Sequence, residues 1–191
     1  KNGLNFLKSL LLFESRNGWL PEITWIGRRD IDIRSSKDKL SAKMQRDMDC
    51  FLDDNKSIKK KWTWIESVKD IYEYYKNSDV LVIPSIYEGL PMVLCEGMFS
   101  GCFVIASSVC DHPKIIGNNE RGLLCNPLSP ESICLSLEKL NKMYDYFEDR
   151  MCMAPASGTE YFHYAHVGGY VEHVLHVVDC AMKITNLWQS E

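Results

Sequence analysis

Residues 80–101 read VLVIPSIYEGLPMVLCEGMFSG. The run begins with four consecutive apolar residues, the pattern of a strand that is covered on both faces of a parallel sheet. A loop with a carboxylate and a glycine follows. A helix is then predicted from Pro91, with proline in its first turn and Gly101 just past its end. This strand–loop–helix unit predicts an open α/β sheet, in which ligands bind beyond the carboxyl ends of the strands.

The alternation of short apolar strands with amphipathic helices extends from this unit in both directions along the chain. Helices are predicted at 4–13, 38–52, 70–76 and 129–147, and further strands at 22–26, 62–65, 103–106 and 122–125. Strands that alternate with helices form parallel sheets with helices on both faces. The sequence therefore predicts an α/β fold with a Rossmann-like, doubly wound parallel sheet and a C-terminal helical appendage.

Three shorter features receive structural interpretations. The run Lys59–Lys61 is interpreted as a solvated turn before a strand. His112 precedes a proline in a predicted loop, so a structural role is favoured over a catalytic one. Residues 151–158 contain small residues with Pro and Gly and are interpreted as a connector. The predicted organisation is a domain at 1–148 followed by a tail at 149–191.

The chemistry-bearing residues of the deciding stretch are two acids. Glu88 lies in the predicted loop and Glu96 lies on the predicted helix, with seven residues between them. Ionised carboxylates only accept hydrogen bonds, so the hydroxyls of a sugar are natural partners. Gly89 lets the backbone approach a ligand closely, and the free amides of a helix start can bind a phosphate. Two acids alone would be explained by an ordinary helix residue and a dipole partner, but the residues that flank them favour a ligand site.

The flanking residues follow a family pattern. Residues 79–106 combine Pro84-Ser85, Glu88-Gly89-Leu90-Pro91, a second acid at Glu96, Gly101 and an apolar strand that ends at Ala106. This run resembles the signature of the family 4 (group 1) glycosyltransferases, which are retaining enzymes of the GT-B fold. The resemblance extends over residues 1–148. It implies that this part of the chain is the C-terminal, nucleotide-sugar-binding half of a GT-B enzyme, a hexosyl-type transferase of polysaccharide or lipid-linked glycan synthesis.

The resemblance also implies roles for individual residues of the loop and helix. Glu96 would bind the ribose hydroxyls of the nucleotide. Glu88 would be the catalytic carboxylate that approaches the transferred sugar. The amides of Gly89 and Leu90 would lie near its hydroxyls or the diphosphate, where Pro91 begins the helix. The donor substrate would be a nucleotide diphosphate sugar, and no cofactor would be required.

Cations near the diphosphate are a second requirement, because charge develops on the departing group. Lys1 corresponds to the lysine that such enzymes place before the first helix of this domain. Gly27 ends the first predicted strand, and Arg28 follows it as another candidate for the nucleotide site. A plain surface charge explains Arg28 equally well, so both interpretations stay open.

Two positions depart from the family pattern. Gly97 stands where alanine is usual, which is compatible with a closely packed helix. Lys114 stands where the family often has an acid, which alters the polarity of the segment without removing chemistry.

Composition restricts the partners and the compartment. The net charge of −4 argues against a nucleic-acid binder, which would carry a basic face. The eight cysteines include no C-x-x-C pair, and several lie in apolar runs, as expected for a reducing, cytoplasmic compartment. No apolar run is long enough to span a bilayer, so peripheral membrane association is expected only through a missing half of the enzyme.

The chain begins at Lys1 and is interpreted as a fragment of a longer protein. The acceptor site of a GT-B enzyme would belong to an N-terminal domain that is not in this sequence. The chain alone is therefore expected to be catalytically weak or inactive.

The tail has a different resemblance. Residues 168–173 read GGYVEH and are similar to the opening helix of HD-type metal-dependent phosphohydrolases, in which His173 would be the first metal ligand. No His-Asp doublet occurs in the chain, so the metal site implied by the resemblance is incomplete. An amphipathic helix that packs on the main domain explains the tail equally well. Two alternative functions stay open, an HD-type phosphohydrolase fragment and a non-catalytic nucleotide-binding module.

Overall fold

A computed structural model of the chain describes residues 2–27, 36–89, 91–117 and 119–153, without the side chains of 36–40 and 147–153. The described helices and strands alternate along the chain. In order they are α1 (Gly3–Asn17), β1 (Ile23–Ile26), α2 (Ser36–Asp54), α3 (Lys56–Lys61), β2 (Trp62–Ile65), α4 (Tyr72–Lys76), β3 (Val80–Ile83), α5 (Met92–Phe99), β4 (Phe103–Ser107), α6 (His112–Ile116), β5 (Leu123–Cys125) and α7 (Pro130–Met153).

The strands pair in parallel, which confirms the predicted α/β class. β1 pairs with β2 in a two-stranded sheet, and β3, β4 and β5 form a three-stranded sheet in that order. The parallel ladders of the described residues form two separate sheets. These strands have only three to five residues each, so each ladder contains few hydrogen bonds and ends quickly.

The three-stranded sheet, α5 and α6 share a buried apolar cluster of Ile83, Leu94, Val104, Ala106 and Ile116. Each fully buried aliphatic side chain of this kind stabilises the fold by about 1.5–3 kcal/mol. α5 approaches β3 closely, because a Cβ at Gly97 would lie 2.2 Å from Leu81 Cδ2. This close approach agrees with the closely packed helix expected at Gly97.

A second apolar region surrounds α1. The ring of Phe6 lies 6.3 Å from that of Trp25, and Trp25 stacks on Trp62 with centroids 5.5 Å apart. α1 ends at Gly18, whose φ of 75° is the left-handed conformation that glycine adopts readily. Its amide donates to Glu14 O at 2.8 Å, so a carbonyl of the last turn is satisfied.

Two local predictions are wrong. Lys59–Lys61 is not a turn but the end of α3, where the cations lie at the negative end of the helix dipole. The segment around His112 is not a loop but helix α6, with Pro113 in its first turn. α6 ends at Gly117, whose φ is 69° and whose amide donates to Pro113 O at 2.9 Å. The lysine run and the His-Pro pair were both interpreted as breaks between elements. The lysines are compatible with the end of a helix, and the proline is compatible with its first turn.

The chain divides into two compact units, Lys1–Glu138 and Lys139–Glu191. α7 continues to Met153, so the first residues of the predicted connector are helical. The boundary near residue 148 separates two family resemblances, and it stays a prediction. Within the described part of the chain, no helix combines the length and the apolar character that crossing a bilayer requires.

Candidate functional site

The loop between β3 and α5 begins at the carboxyl end of β3, whose first three residues are half-buried and whose last, Ile83, is buried, so the strand is not covered on both faces as its apolar run predicts. Pro84 and Ser85 are buried, whereas the side chains of Ile86 and Tyr87 are exposed. Glu88 is half-buried and Gly89 is exposed, with open space where a Cβ would lie. The first of the two acids is therefore at the surface end of a loop whose base is fixed in the core.

A hydrogen bond holds the Glu88 carboxylate to the base of this loop. Ser85 Oγ donates to Glu88 Oε1 over 2.5 Å. A hydroxyl that donates to an ionised carboxylate makes a short bond, about twice as strong as one between neutral groups. Ser85 itself is completely buried, so the donor has little freedom to move.

The base of the loop is connected to β4 and α6 by further buried polar groups. Ser107 Oγ lies 2.5 Å from Ser85 O and 3.2 Å from Ile83 O. The carbonyl oxygen of Ser107 in turn lies 2.8 Å from His112 Nδ1. His112 is fully buried, and its Nε2 has no hydrogen-bond partner among the described residues. This burial fits the structural role that was expected of His112.

The second acid, Glu96, lies in the middle of α5 and is half-buried. Tyr75 of α4 donates from its hydroxyl to Glu96 Oε2 over 3.3 Å. Burial and the adjacent Glu96 charge raise the pKa of Tyr75 to about 12. At neutral pH the phenol therefore stays protonated and acts as a donor to the carboxylate.

The other predicted site residues are placed less closely together. Pro91 is buried at the start of α5, where its carbonyl accepts from Leu94 N at 3.0 Å. Gly27 lies in the other sheet: its amide donates to Ile65 O at 2.9 Å, and its carbonyl accepts from Trp64 Nε1 at 3.1 Å. The structure thus gathers Glu88, Gly89, Pro91 and Glu96 on one strand–loop–helix unit, with Gly27 on a different one.

Four predicted residues lie outside the described part of the chain. They are Lys1, Arg28, Leu90 and His173. Their assignments as cation, amide donor or metal ligand stay predictions. In the described ranges, no three His, Cys, Asp or Glu side chains are grouped as metal ligands would be.

The sequence reasoning missed the residues that hold the acids. The motif contains Ser85 but does not reveal its hydrogen bond to Glu88, and no local pattern assigns a role to Tyr75 or Ser107. The only available signal was the dense group of tyrosines on the predicted helix at 70–76.

A surface cavity of about 370 Å³ is lined by residues of β1 and of the α4 region, namely Thr24, Glu73, Tyr74, Asn77 and Ser78. None of the predicted site residues that the structure describes lines it.

Comparison with known proteins identifies the family. The profile of the family described as Glycosyl transferases group 1 matches residues 45–154, which is more than half of the chain. An uncharacterized glycosyltransferase of Methanocaldococcus jannaschii is 38% identical over 66 residues, which are 35% of this chain and 17% of that protein. An uncharacterized glycosyltransferase of Haemophilus influenzae is 31% identical over 78 residues, which are 40% of this chain and 22% of that protein.

A solved structure shares the fold. Sucrose-phosphate synthase from Thermosynechococcus elongatus aligns with a TM-score of 0.59 and 18% sequence identity, over 97% of this chain and 42% of that one. At this identity the likeness concerns the fold alone, and it places the chain with the GT-B architecture. The chain spans less than half of that protein, and its matches span about a fifth of the curated relatives.

Proposed function

The chain belongs to the family of group 1 glycosyl transferases, and we propose that it is the domain that binds a nucleotide diphosphate sugar for retaining transfer of a hexose-type sugar. The proposal includes assignment to the family 4 enzymes. The observation that carries it is the placement of two carboxylates, Glu88 and Glu96, on one unit beyond the parallel strand β3.

Each acid has a distinct task in this proposal. Glu96 accepts hydrogen bonds from the ribose hydroxyls, which anchors the nucleotide on α5. Glu88 lies eight positions earlier, at the carboxyl end of β3, and faces the transferred sugar. Since a carboxylate offers acceptors only, both acids select polyhydroxyl groups over anions.

The diphosphate needs the opposite chemistry. The start of α5 supplies backbone amides and the positive end of the helix dipole, which stabilise negative charge. Gly89 leaves the approach to these amides open. Arg28 or Lys1 would add the cation that offsets the charge on the departing diphosphate.

The proposed acceptor site lies outside this chain, on an N-terminal domain that closes over the donor. The chain alone is then expected to bind a nucleotide diphosphate without efficient transfer. We propose that the complete enzyme acts on the cytoplasmic side, in polysaccharide or lipid-linked glycan synthesis.

The donor site is tested by calorimetric titration of the wild-type chain with UDP, GDP and ADP. We expect one diphosphate to bind in the micromolar to millimolar range. Glu96→Ala should weaken that binding by about tenfold or more, equivalent to roughly 1.4 kcal/mol. Asp53→Ala, at an exposed acid of α2, is the control and should bind as the wild type does. Absence of binding by all three diphosphates would contradict the proposal.

A turnover assay separates donor binding from catalysis. The wild-type chain is incubated with the sugar-linked form of the preferred nucleotide and a simple sugar acceptor. We expect no transfer product, because the acceptor groups of the proposed enzyme are elsewhere. Appearance of a glycosylated product would show that the chain is active alone.

A further inference from the structure

Helix α4 carries three tyrosines, and they differ sharply in exposure. Tyr72 is 43% exposed, whereas Tyr75 is only 6% exposed. Tyr75 is also the one that meets the candidate site, through its hydroxyl and Glu96 Oε2 at 3.3 Å. The remainder of its side chain is an apolar ring, so the hydroxyl is its single polar contact with α5.

The backbone of Tyr75 is held independently of Glu96. Its amide donates to Ile71 O at 3.2 Å within α4. Its carbonyl accepts from the thiol of Cys102, which is 7% exposed, over 3.3 Å. Cys102 in turn donates from its amide to Gly97 O at 3.0 Å, one residue after Glu96. The tyrosine is thus attached to the end of α5 through the backbone as well as through the carboxylate.

These contacts restrict the Glu96 side chain before any ligand arrives. A carboxylate on a helix otherwise rotates among several conformers, and binding must then select one of them. A buried donor on one carboxylate oxygen selects the conformer in advance. Preorganised groups bind a ligand more tightly because less ordering remains to be done.

We propose that Tyr75 is a positioning residue, which orients the Glu96 carboxylate to accept the ribose hydroxyls of the donor nucleotide. This inference rests on the proposed donor site. Tyr75 does not touch the nucleotide; it acts through Glu96.

The minimal test is Tyr75→Phe, which removes the hydroxyl and keeps the buried ring. The matched control is Tyr72→Phe, which removes an exposed hydroxyl from the same helix. Binding of UDP, GDP and ADP is measured by calorimetry, and the melting temperature of each variant is recorded. We expect Tyr75→Phe to weaken binding of the preferred diphosphate by about three- to tenfold, which is the range for the loss of one net hydrogen bond. Tyr72→Phe should change this affinity by less than about twofold.

A double-mutant cycle distinguishes positioning from a general structural effect. In the Glu96→Ala background, Tyr75→Phe should weaken diphosphate binding by less than about a further twofold, because the carboxylate that Tyr75 orients is gone. Where Glu96→Ala binds too weakly to measure, the 2′,3′-dideoxy form of the same diphosphate replaces it. Wild type and Tyr75→Phe should then bind this probe equally, since it lacks the ribose hydroxyls.

The outcomes separate the inference from the proposal on which it rests. If Glu96→Ala weakens binding and Tyr75→Phe does not, the inference is overturned and the donor site stands. An equal loss for Tyr75→Phe with and without Glu96, or with and without the ribose hydroxyls, would also overturn it. Failure of the wild type to bind any of the three diphosphates would overturn both.

Discussion

Serine hydroxyl groups make several of the buried polar contacts of this protein. Ser107 is completely buried, and its hydroxyl approaches the backbone carbonyls of Ser85 and Ile83, at the point where β3 passes into the loop with Glu88. A buried carbonyl that loses a hydrogen-bond donor keeps its desolvation cost without that compensation. At the residue scale, the stability of the loop therefore depends on an inconspicuous serine.

Ser107→Ala is expected to lower the free energy of unfolding by about 1–3 kcal/mol, because the buried Ser85 carbonyl loses its donor. Ser15→Ala is the control, since Ser15 Oγ also donates to a backbone carbonyl, that of Leu12, but at an exposed site. It should change stability by less than about 0.5 kcal/mol. Urea unfolding followed by circular dichroism measures both. Equal effects of the two substitutions would refute the argument from burial.

The two acids and the residues that hold them differ in how far they could be predicted. Glu88 and Glu96 were identified because they lie in one short motif with a recognisable spacing. Tyr75 meets Glu96 across 21 positions, and Ser107 meets Ser85 across 22. Such contacts arise only when parallel strands and their helices are assembled, so no local sequence pattern predicts them.

At the scale of elements, close contact of backbones determines where glycine is needed. Gly122 immediately precedes β5, which pairs with β4. A Cβ at this position would lie 2.6 Å from Val104 O, a backbone atom in the centre of the sheet. A side chain could yield, but a strand held in a ladder on both sides cannot move without breaking hydrogen bonds.

Gly122→Ala is therefore expected to destabilise the protein by about 1–3 kcal/mol, the usual cost of forcing extra atoms into a packed region. Gly89→Ala is the matched control, because nothing lies within 4 Å of the added Cβ there. Its free energy of unfolding should stay within about 0.5 kcal/mol of the wild-type value. Thermal and urea unfolding provide the comparison, and a Gly122→Ala variant as stable as the wild type would show that β5 can shift freely.

Elements were easier to predict from their interiors than from their ends. The strand at 80–83 and the strand at 62–65 were placed correctly, because continuous apolar or aromatic residues have few alternatives. α3 and α6 were missed, since a lysine run and a His-Pro pair look like breaks in a sequence. Lysines favour a helix C-terminus and proline favours its first turn, but tertiary contacts decide whether a helix forms there at all.

At the scale of the whole molecule, folding divides the thiols that the structure describes into exposed and buried ones. Cys50, Cys95 and Cys110 are exposed, whereas Cys125 and Cys134 are buried. Burial raises the pKa of both Cys125 and Cys134 to about 11. The reactive thiolate is thereby depleted at neutral pH, in addition to being shielded from reagents.

Limited alkylation with iodoacetamide at pH 8 should reveal this division. Burial shields Cys125 and Cys134 from the reagent and also raises their pKa, so both should react about tenfold or more slowly than the exposed Cys50, Cys95 and Cys110. Peptide mass spectrometry after trypsin digestion gives the rate at each site. In concentrated urea the rates should converge. Equal rates in the native protein would mean that the buried positions are open to solvent.

The class of the molecule was predictable, but the division of its sheet was not. Alternating strands and helices predict parallel pairing, and every described ladder is parallel. Whether short strands join into one sheet or two depends on how their helices pack, which leaves no trace in the hydrophobic pattern of any single strand. The family match covers residues 45–154, a range that includes the motif at 79–106 on which the predicted resemblance was based.

The two acids and the three hydroxyl donors of the site all lie within residues 75–107. In evolutionary terms, a single recombination event that exchanged this stretch would transfer both carboxylates along with the groups that orient them. Under the proposed donor site, such an exchange would carry the carboxylates for the ribose and the sugar, whereas the cation proposed for the diphosphate, Arg28 or Lys1, would come from the recipient gene.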